Sequence, residues 1–261
     1  MGVVREVESY DVEVEVAGGA GGGAYAVLAH LDSGKLTQWL PDSALRLPRG
    51  DYAVAATVET ASVDAWLYHT RFTVTGDRKL TLDPRNAKRI ALSVPDAASR
   101  VTFAGVSGEW DAPGGWIDLS AGGFDLDRAA IGRIAGSPAD KRFLGSVTGS
   151  WARPGTDGLF TDSPVTYDQT YFSKGVPFTG LTRRTRIGDY ATLRTSYQAD
   201  AVGATAGKAH GARIGRVSPG HRSPRSACCR SGAPNTSTPT PDPVSGPASS
   251  TRSPPPSRSA R

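Results

Sequence analysis

Between Leu45 and Val58 the chain reads LRLPRGDYAVAATV, and this stretch constrains the fold more than any other. Pro48 presets φ for a turn and Gly50 takes conformations closed to other residues. Beyond the turn, Tyr52, Val54, Ala56 and Val58 recur at every second position, the period of a strand with one apolar face. A strand of this kind needs partners on both edges and an apolar layer against that face.

The rest of residues 1–95 supplies such partners. Tyr10, Val12, Val14 and Val16 alternate with Asp11, Glu13 and Glu15, as in a strand with one buried and one wet face. Tyr25, Val27, Ala29 and Leu31 follow. The turn Asp32-Ser33-Gly34 then returns the chain through LTQWL, residues 36–40. Trp66, Tyr68, Thr70, Phe72 and Val74 are expected on one face of a further strand. Turns at Thr75-Gly76-Asp77 and Asp83-Pro84-Arg85-Asn86 lead into Leu80 and Leu82, then Ile90, Leu92 and Val94. Short strands separated by turn signals, with no sustained helical period, mark a β-sandwich.

Pro95-Asp96 reads as a boundary, after which the pattern restarts. Val101 and Phe103 open one strand. Trp116, Asp118 and Ser120 alternate with Ile117 and Leu119 in the next. Residues 121–141 are expected to be irregular, with an apolar patch at Ile131 and Ile134. The strand at 142–152 puts Phe143, Val147 and Trp151 on one face with Gly145 and Gly149, which implies a bulge or close backbone packing. Val165, Tyr167, Gln169 and Tyr171 alternate, as do Tyr190, Thr192 and Arg194. The expected fold is therefore all-β, with two β-sandwich-like domains at 8–95 and 98–200.

Residues 205–261 differ. They hold Lys208 and eight arginines against one acid, Asp242, ten of the 19 prolines, and no Phe, Trp, Tyr or Leu. Such a basic Pro/Ser/Arg-rich tail cannot bury enough apolar area to offset its ordering entropy, so it is expected to be disordered. The remaining 204 residues carry 21 basic and 24 acidic groups, so the pI near 9.4 belongs to the tail. A mildly acidic body gives no footing for specific nucleic-acid binding. The two cysteines, Cys228 and Cys229, are adjacent in the tail, which leaves the body without a disulfide framework or thiolate metal site. Residues 1–20 have no signal-peptide pattern and no apolar run is long enough for a membrane helix, so the chain as it stands is also compatible with the cytoplasm.

The chemistry-bearing residues are few. His30 and His69 are expected to be partly exposed strand residues, and two histidines without companion ligands make no zinc site. Gly18–Gly23 lacks the Lys-Ser/Thr of a phosphate-binding loop. Asp32-Ser33-Gly34 matches the surroundings of catalytic aspartates in two peptidase classes. It has no second Asp-Ser/Thr-Gly for a carboxylate pair, no Gly-Thr-Ser nucleophile and no His-Gly-Thr/Ser histidine, since His210-Gly211 is followed by Ala212. A hairpin turn explains it. Asp125, Asp127, Asp157 and Asp162 fit no calcium-loop spacing. No cofactor is expected. Trp66, Trp110, Trp116, Trp151 and Tyr171 are candidates for a ligand platform. Trp110 and Trp116 are the candidate ligand-binding pair, because one lies in the Gly/Pro-rich stretch 108–115 and the other at its end, and both are expected to be exposed.

Leu47-Pro48-x-Gly50-x-Tyr52 resembles the prealbumin-like β-sandwich modules found beside the catalytic domains of secreted peptidases. Together with LTLDPRNAKRIALSV (80–94), VTGSWARPGTDGLFTDSPVTYD (147–168) and IGDYATLRTSY (187–197), it is similar to the C-terminal accessory region of bacterial secreted subtilisin-like serine peptidases, over about residues 8–200. The resemblance implies an extracellular, non-catalytic role that supports stability or substrate or surface binding. Its implied partners are a peptidase catalytic domain or a protein or polysaccharide surface, without membrane or specific nucleic acid. The Asp-His-Ser domain of that family is absent, so no catalytic residue is carried over. The alternative is a free-standing carbohydrate- or peptide-binding β-sandwich protein. The family's chain continues past a segment like 187–197, whereas this one turns into the composition of a GC-rich gene read out of frame. A fragment or frame-shifted product of a longer peptidase gene is therefore expected.

Overall fold

The structure, a computed structural model, describes residues 7–18, 23–113, 115–123, 125–160, 163–194 and 227–232. It is all-β. The first strands are β1 (Ser9–Val16), β2 (Ala24–His30), β3 (Leu36–Trp39), β4 (Arg46–Pro48), β5 (Gly50–Glu59), β6 (Asp64–Val74), β7 (Arg78–Leu82) and β8 (Ala87–Ser93). There follow β9 (Arg100–Ala112), β10 (Gly115–Gly122), β11 (Ala129–Arg133), β12 (Phe143–Ala152), β13 (Thr166–Lys174), β14 (Leu181–Arg184), β15 (Ala191–Arg194) and β16 (Ala227–Gly232). Two 3-10 turns, Pro84–Asn86 and Ile187–Asp189, are the helical elements among the described residues.

The strands form three sheets, ordered β4-β1-β7, β14-β8-β11-β6-β5-β2-β3 and β10-β9-β12-β13-β16-β15. The seven-stranded sheet is the middle layer. One face packs Leu28, Tyr52, Val54, Val58, Leu67 and Phe72 against Val12, Leu47, Leu80 and Leu82 of the three-stranded sheet. The other packs Ala53, Trp66, Tyr68, Ile90 and Ile131 against Val106, Trp110, Phe143, Val147 and Tyr171 of the six-stranded sheet. Burying each such Leu, Val or Phe contributes about 1.5–3 kcal/mol, so both interfaces are major sources of stability.

The alternation in β5 works as its sequence implies. Tyr52, Val54, Ala56 and Val58 face the three-stranded sheet, while the small Ala53 and Ala55 let the six-stranded sheet come close on the other side. In β6 the expected single face is broken. Tyr52 pairs with Phe72 but Val54 pairs with His69, so β6 sets two residues, Thr70 and Arg71, against one, Ala53. This bulge inverts side-chain direction. Trp66 and Tyr68 enter one core, and Phe72 and Val74 enter the other. The bulged Thr70 is held by its N–H on Ser137 Oγ (3.0 Å), and its carbonyl accepts from Trp110 Nε1 (2.8 Å).

The boundary expected at 95–98 is crossed by the sheet. β11 lies between β6, which it parallels, and β8, which it opposes, and β14 adds outside β8. Strands from beyond residue 98 thus complete the sheet begun by the first 95 residues. β11 falls in the segment read as irregular. Its sequence, AAIGR, shows no alternation because both faces are covered, and four of its five residues are buried. Arg128, just before it, donates to Asp64 Oδ1 (2.7 Å), Asp64 Oδ2 (3.1 Å) and the Thr60 carbonyl (2.8 Å), fastening β11 to the start of β6.

Of the segment read as a disordered tail, Ala227–Gly232 pairs with β13 and β15 as β16, where two edges offer backbone partners. The rest of 205–261 lies outside the described residues. The glycines of β12 behave as expected: a Cβ on Gly145 would meet the Phe143 ring at 3.1 Å and one on Gly149 the Trp151 ring at 2.3 Å. A register shift follows at Ser150 and Trp151.

Gly132 is where β8 closes on β11. A Cβ there would lie 2.5 Å from the Asn86 carbonyl oxygen and 2.6 Å from Ala87 Cα, both backbone atoms that cannot swing aside. Gly132→Ala is expected to cost about 2 kcal/mol or more in urea unfolding. Gly76→Ala, with nothing within 4 Å, is the control and should stay near wild type.

Candidate functional site

The candidate surface is the outer face of the six-stranded sheet, and alternation decides what it displays. In β9, Val106, Gly108 and Trp110 point inward, while Ser107, Glu109 and Asp111 point outward. In β10, Ile117 and Leu119 are buried, and Trp116, Asp118 and Ser120 stand outside. The antiparallel register sets Trp116 opposite Asp111, Asp118 opposite Glu109 and Ser120 opposite Ser107. Directly opposed residues have Cβ atoms about 4.5–5.5 Å apart, so these side chains form one patch. Ser107 Oγ donates to Asp118 Oδ1 at 3.1 Å.

The two candidate tryptophans separate. Trp116 is 61 % exposed, but Trp110 is fully buried. The Gly/Pro-rich stretch at 108–115, where both tryptophans were expected to be exposed, is largely the continuation of β9 to Ala112 and the start of β10. This puts Trp110 on the inward parity, over Gly108, edge-on to Phe143 with ring centroids 4.9 Å apart. Its indole N–H is spent on the Thr70 carbonyl. Trp66, Trp151 and Tyr171 are also buried, in the core between the middle and six-stranded sheets.

Phe103 shares the outer face, and its exposure has a structural cause. A Cβ on Gly105 would meet its ring at 3.0 Å and one on Gly122 at 2.7 Å. The ring therefore lies flat over two opposed glycines and covers their backbone. A shallow hollow, walled by Val101, Phe103, Asp125 and Leu126, opens beside it. Among the described residues, no comparable internal cause accounts for Trp116.

The remaining chemistry-bearing residues serve the scaffold. His30 stands edge-on to Tyr52 at 5.0 Å, and its Nδ1 accepts from the Asp32 and Ser33 N–H groups, both at 3.3 Å. Asp32-Ser33-Gly34 is the β2–β3 hairpin turn, with Gly34 at φ +69°. His69, expected to be partly exposed, is buried against Phe72, because it lies on the face of Leu67 and Val54 that the three-stranded sheet covers. Burial, with Arg78 and Arg133 nearby, lowers its pKa to about 4. Asp125 Oδ1 accepts from the Asp127 N–H and Asp157 Oδ1 from the Leu159 N–H, both 2.9 Å, as in ordinary side-chain-capped turns. Asp162 lies outside the described residues. Among the described residues, no group of three or more His, Cys, Asp or Glu could hold a metal ion.

Two buried polar groupings escaped the sequence reading. Asp140 is buried, which works to raise its pKa. The Arg142 guanidinium at 2.8 Å and Arg71 at 3.9 Å outweigh this and hold the carboxyl below its ordinary range. Gln169 is fully buried. Its Nε2 donates to Thr185 Oγ1 (2.9 Å), the Tyr190 hydroxyl (2.5 Å) and the Ser93 carbonyl (3.2 Å), while Tyr171 OH donates to its Oε1 (3.0 Å). This network ties β13 to the end of β8 and to residues 185–190. A glutamine between tyrosines on the apolar face of a strand was its one sequence signal.

No family model, curated protein or solved structure matches this chain.

His69 sets a pH dependence. In the unfolded chain it takes up a proton below its ordinary pKa of about 6.5, whereas in the folded protein it stays neutral down to about 4. Stability is therefore fully present above pH 6.5 and falls as the pH drops towards 4, by about 3 kcal/mol from this group. Urea midpoints at stepped pH should decline more shallowly across that window in His69→Gln than in wild type. Parallel curves would refute this assignment.

Proposed function

We propose that this chain is a non-catalytic accessory β-region, of the kind it resembles beside the catalytic domains of secreted subtilisin-like serine peptidases, and that it works by surface contact. The resemblance argues for a place outside the cell. Its partner would be a peptidase catalytic domain or the protein or polysaccharide surface on which such an enzyme acts.

The observation that carries this reading is the position of Trp116. An exposed indole on a paired strand holds large apolar area in water, and such residues anchor contacts. The other polar and aromatic candidates have structural employment: His30 and Asp32 in a turn, His69 and Trp110 in cores, Asp140 in an ion pair. A free-standing polysaccharide-binding protein is the second reading. It is favoured by the same indole ringed by hydroxyl and carboxylate groups, since a sugar stacks its C–H face on an aromatic ring and hydrogen-bonds at its rim.

Retention of the purified chain on immobilised casein and on insoluble cellulose separates the two. Accessory contact with protein predicts retention on casein, reduced at least tenfold in Trp116→Ala with the fold intact. Retention on cellulose instead, with the same loss in Trp116→Ala, selects the second reading. Trp110→Ala should lose about 3–5 kcal/mol of stability, as befits a core residue. Unchanged retention in Trp116→Ala removes this face from the account, and casein hydrolysis blocked by a serine-directed inhibitor contradicts the non-catalytic reading.

A further inference from the structure

We infer that β3 is a self-association edge, along which a second copy of this chain adds its own β3 and continues the middle sheet. Among the described residues, six strands end a sheet: β3, β4, β7, β10, β14 and β15. Such edges offer unpaired backbone groups, and charge or proline commonly guards them against pairing. β4 carries Arg46 and Pro48, β7 Arg78 and Lys79, β14 Arg183 and Arg184, β15 Arg194, and β10 Asp118 between terminal glycines. β3 reads LTQW and runs on into Leu40, with no such residue. Leu36 is 57 % exposed and Leu40 59 %, and Tyr25 on neighbouring β2 is 42 % exposed. The register sets Leu36 beside Ala29 and Gln38 beside Val27, on the face that the six-stranded sheet covers further along. The middle sheet thus overhangs that layer at β3 and leaves an apolar strip in water.

The β2–β3 hairpin fixes what this edge offers. The His30 N–H donates to the Lys35 carbonyl at 2.9 Å. By the alternation of an antiparallel pair, residues 35, 37 and 39 therefore turn their backbone groups to β2, and Leu36 and Gln38 turn theirs outward. Two β3 strands related by a two-fold axis at Gln38 are complementary in that direction. Gln38 exchanges both backbone hydrogen bonds with the partner's Gln38, and Leu36 stands opposite the partner's Leu40 on the same face. The Leu40 backbone is already engaged by Ser43 Oγ (3.1 and 2.6 Å), so the ladder centres on Gln38 and the leucines contribute apolar contact. Tyr25 and Val27 on β2 widen the strip behind them. The ends match in charge: Lys35 comes to the end of the ladder where the partner's Asp42 sits. Among the described residues, neither Lys35 nor Asp42 is in an ion pair. The contact is small, so its occupancy depends on concentration.

Sedimentation velocity of the full-length chain tests this. The expected result is a species of twice the 27.3 kDa chain mass, whose share rises with protein concentration. Gln38→Pro deletes an outward N–H and no bond to β2, a place where an edge strand tolerates proline. It should keep the wild-type urea midpoint while the dimer dissociation constant rises about tenfold or more, since two hydrogen bonds between the copies are lost. Leu36→Lys/Leu40→Lys should weaken the dimer in the same direction by placing charges along the apolar strip. In a Cys228→Ser/Cys229→Ser background, Gln38→Cys should oxidise to a disulfide-linked dimer, because Cα atoms of a bonded antiparallel pair lie about 5.5 Å apart. Ser120→Cys, on the β10 edge, should not. A monomer at every concentration would overturn the proposal. So would a dimer whose dissociation constant is unchanged in both Gln38→Pro and Leu36→Lys/Leu40→Lys, or one that cross-links through Ser120→Cys instead of Gln38→Cys.

Discussion

The structure depends on a sheet buried on both faces. Seven strands form the middle layer, and apolar side chains leave it in both directions. Such a sheet cannot be finished by β3, β2, β5 and β6 alone, because the exposed edge of β6 would present unpaired backbone groups in an apolar setting. β11 covers that edge as a parallel strand, Gly132 lets β8 close on it, and Arg128 fixes its start to Asp64. β14 then extends the sheet beyond β8. The chain crosses between layers several times, and its two halves share one hydrophobic core.

Much of this was legible because half-buried strands write their geometry as alternation. β5, β10 and β12 show it, and the Asp32-Ser33-Gly34 and Asp83-Pro84 turns fall between strands as their composition requires. β11 was not legible, since a short strand covered on both sides loses the alternating signal and AAIGR resembles a loop with an apolar patch. The bulge at Thr70–Arg71 leaves no mark in the sequence either. It depends on the pairing of β6 with β5, and it carries Phe72 and Val74 to the opposite side from the one simple parity assigns. Parity across an apparent loop decided the tryptophans. Once β9 runs unbroken to Ala112, Trp110 must face inward and Trp116, across the hairpin, outward.

The functional account follows from subtraction. Buried polar groups are costly unless paired, and here they are paired: Asp140 by two arginines, Gln169 by hydroxyls and a carbonyl, Thr70 by Ser137. They hold layers in register. Phe103 shields two glycines. Among the described residues, the ligand candidate that remains without an internal purpose is Trp116, on the outer face of the six-stranded sheet. Contact by a surface of this kind needs no moving part, only a scaffold that does not deform, and two covered interfaces with a common middle sheet supply one.

The central claim is that the two halves of the chain are a single folding unit joined through that middle sheet. Differential scanning calorimetry of the full chain tests it directly. One transition, with calorimetric and van't Hoff enthalpies in agreement, is the result this architecture predicts. Two resolved transitions, one persisting after the other half has melted, would mean that residues before and after 95–98 fold independently, and would contradict it.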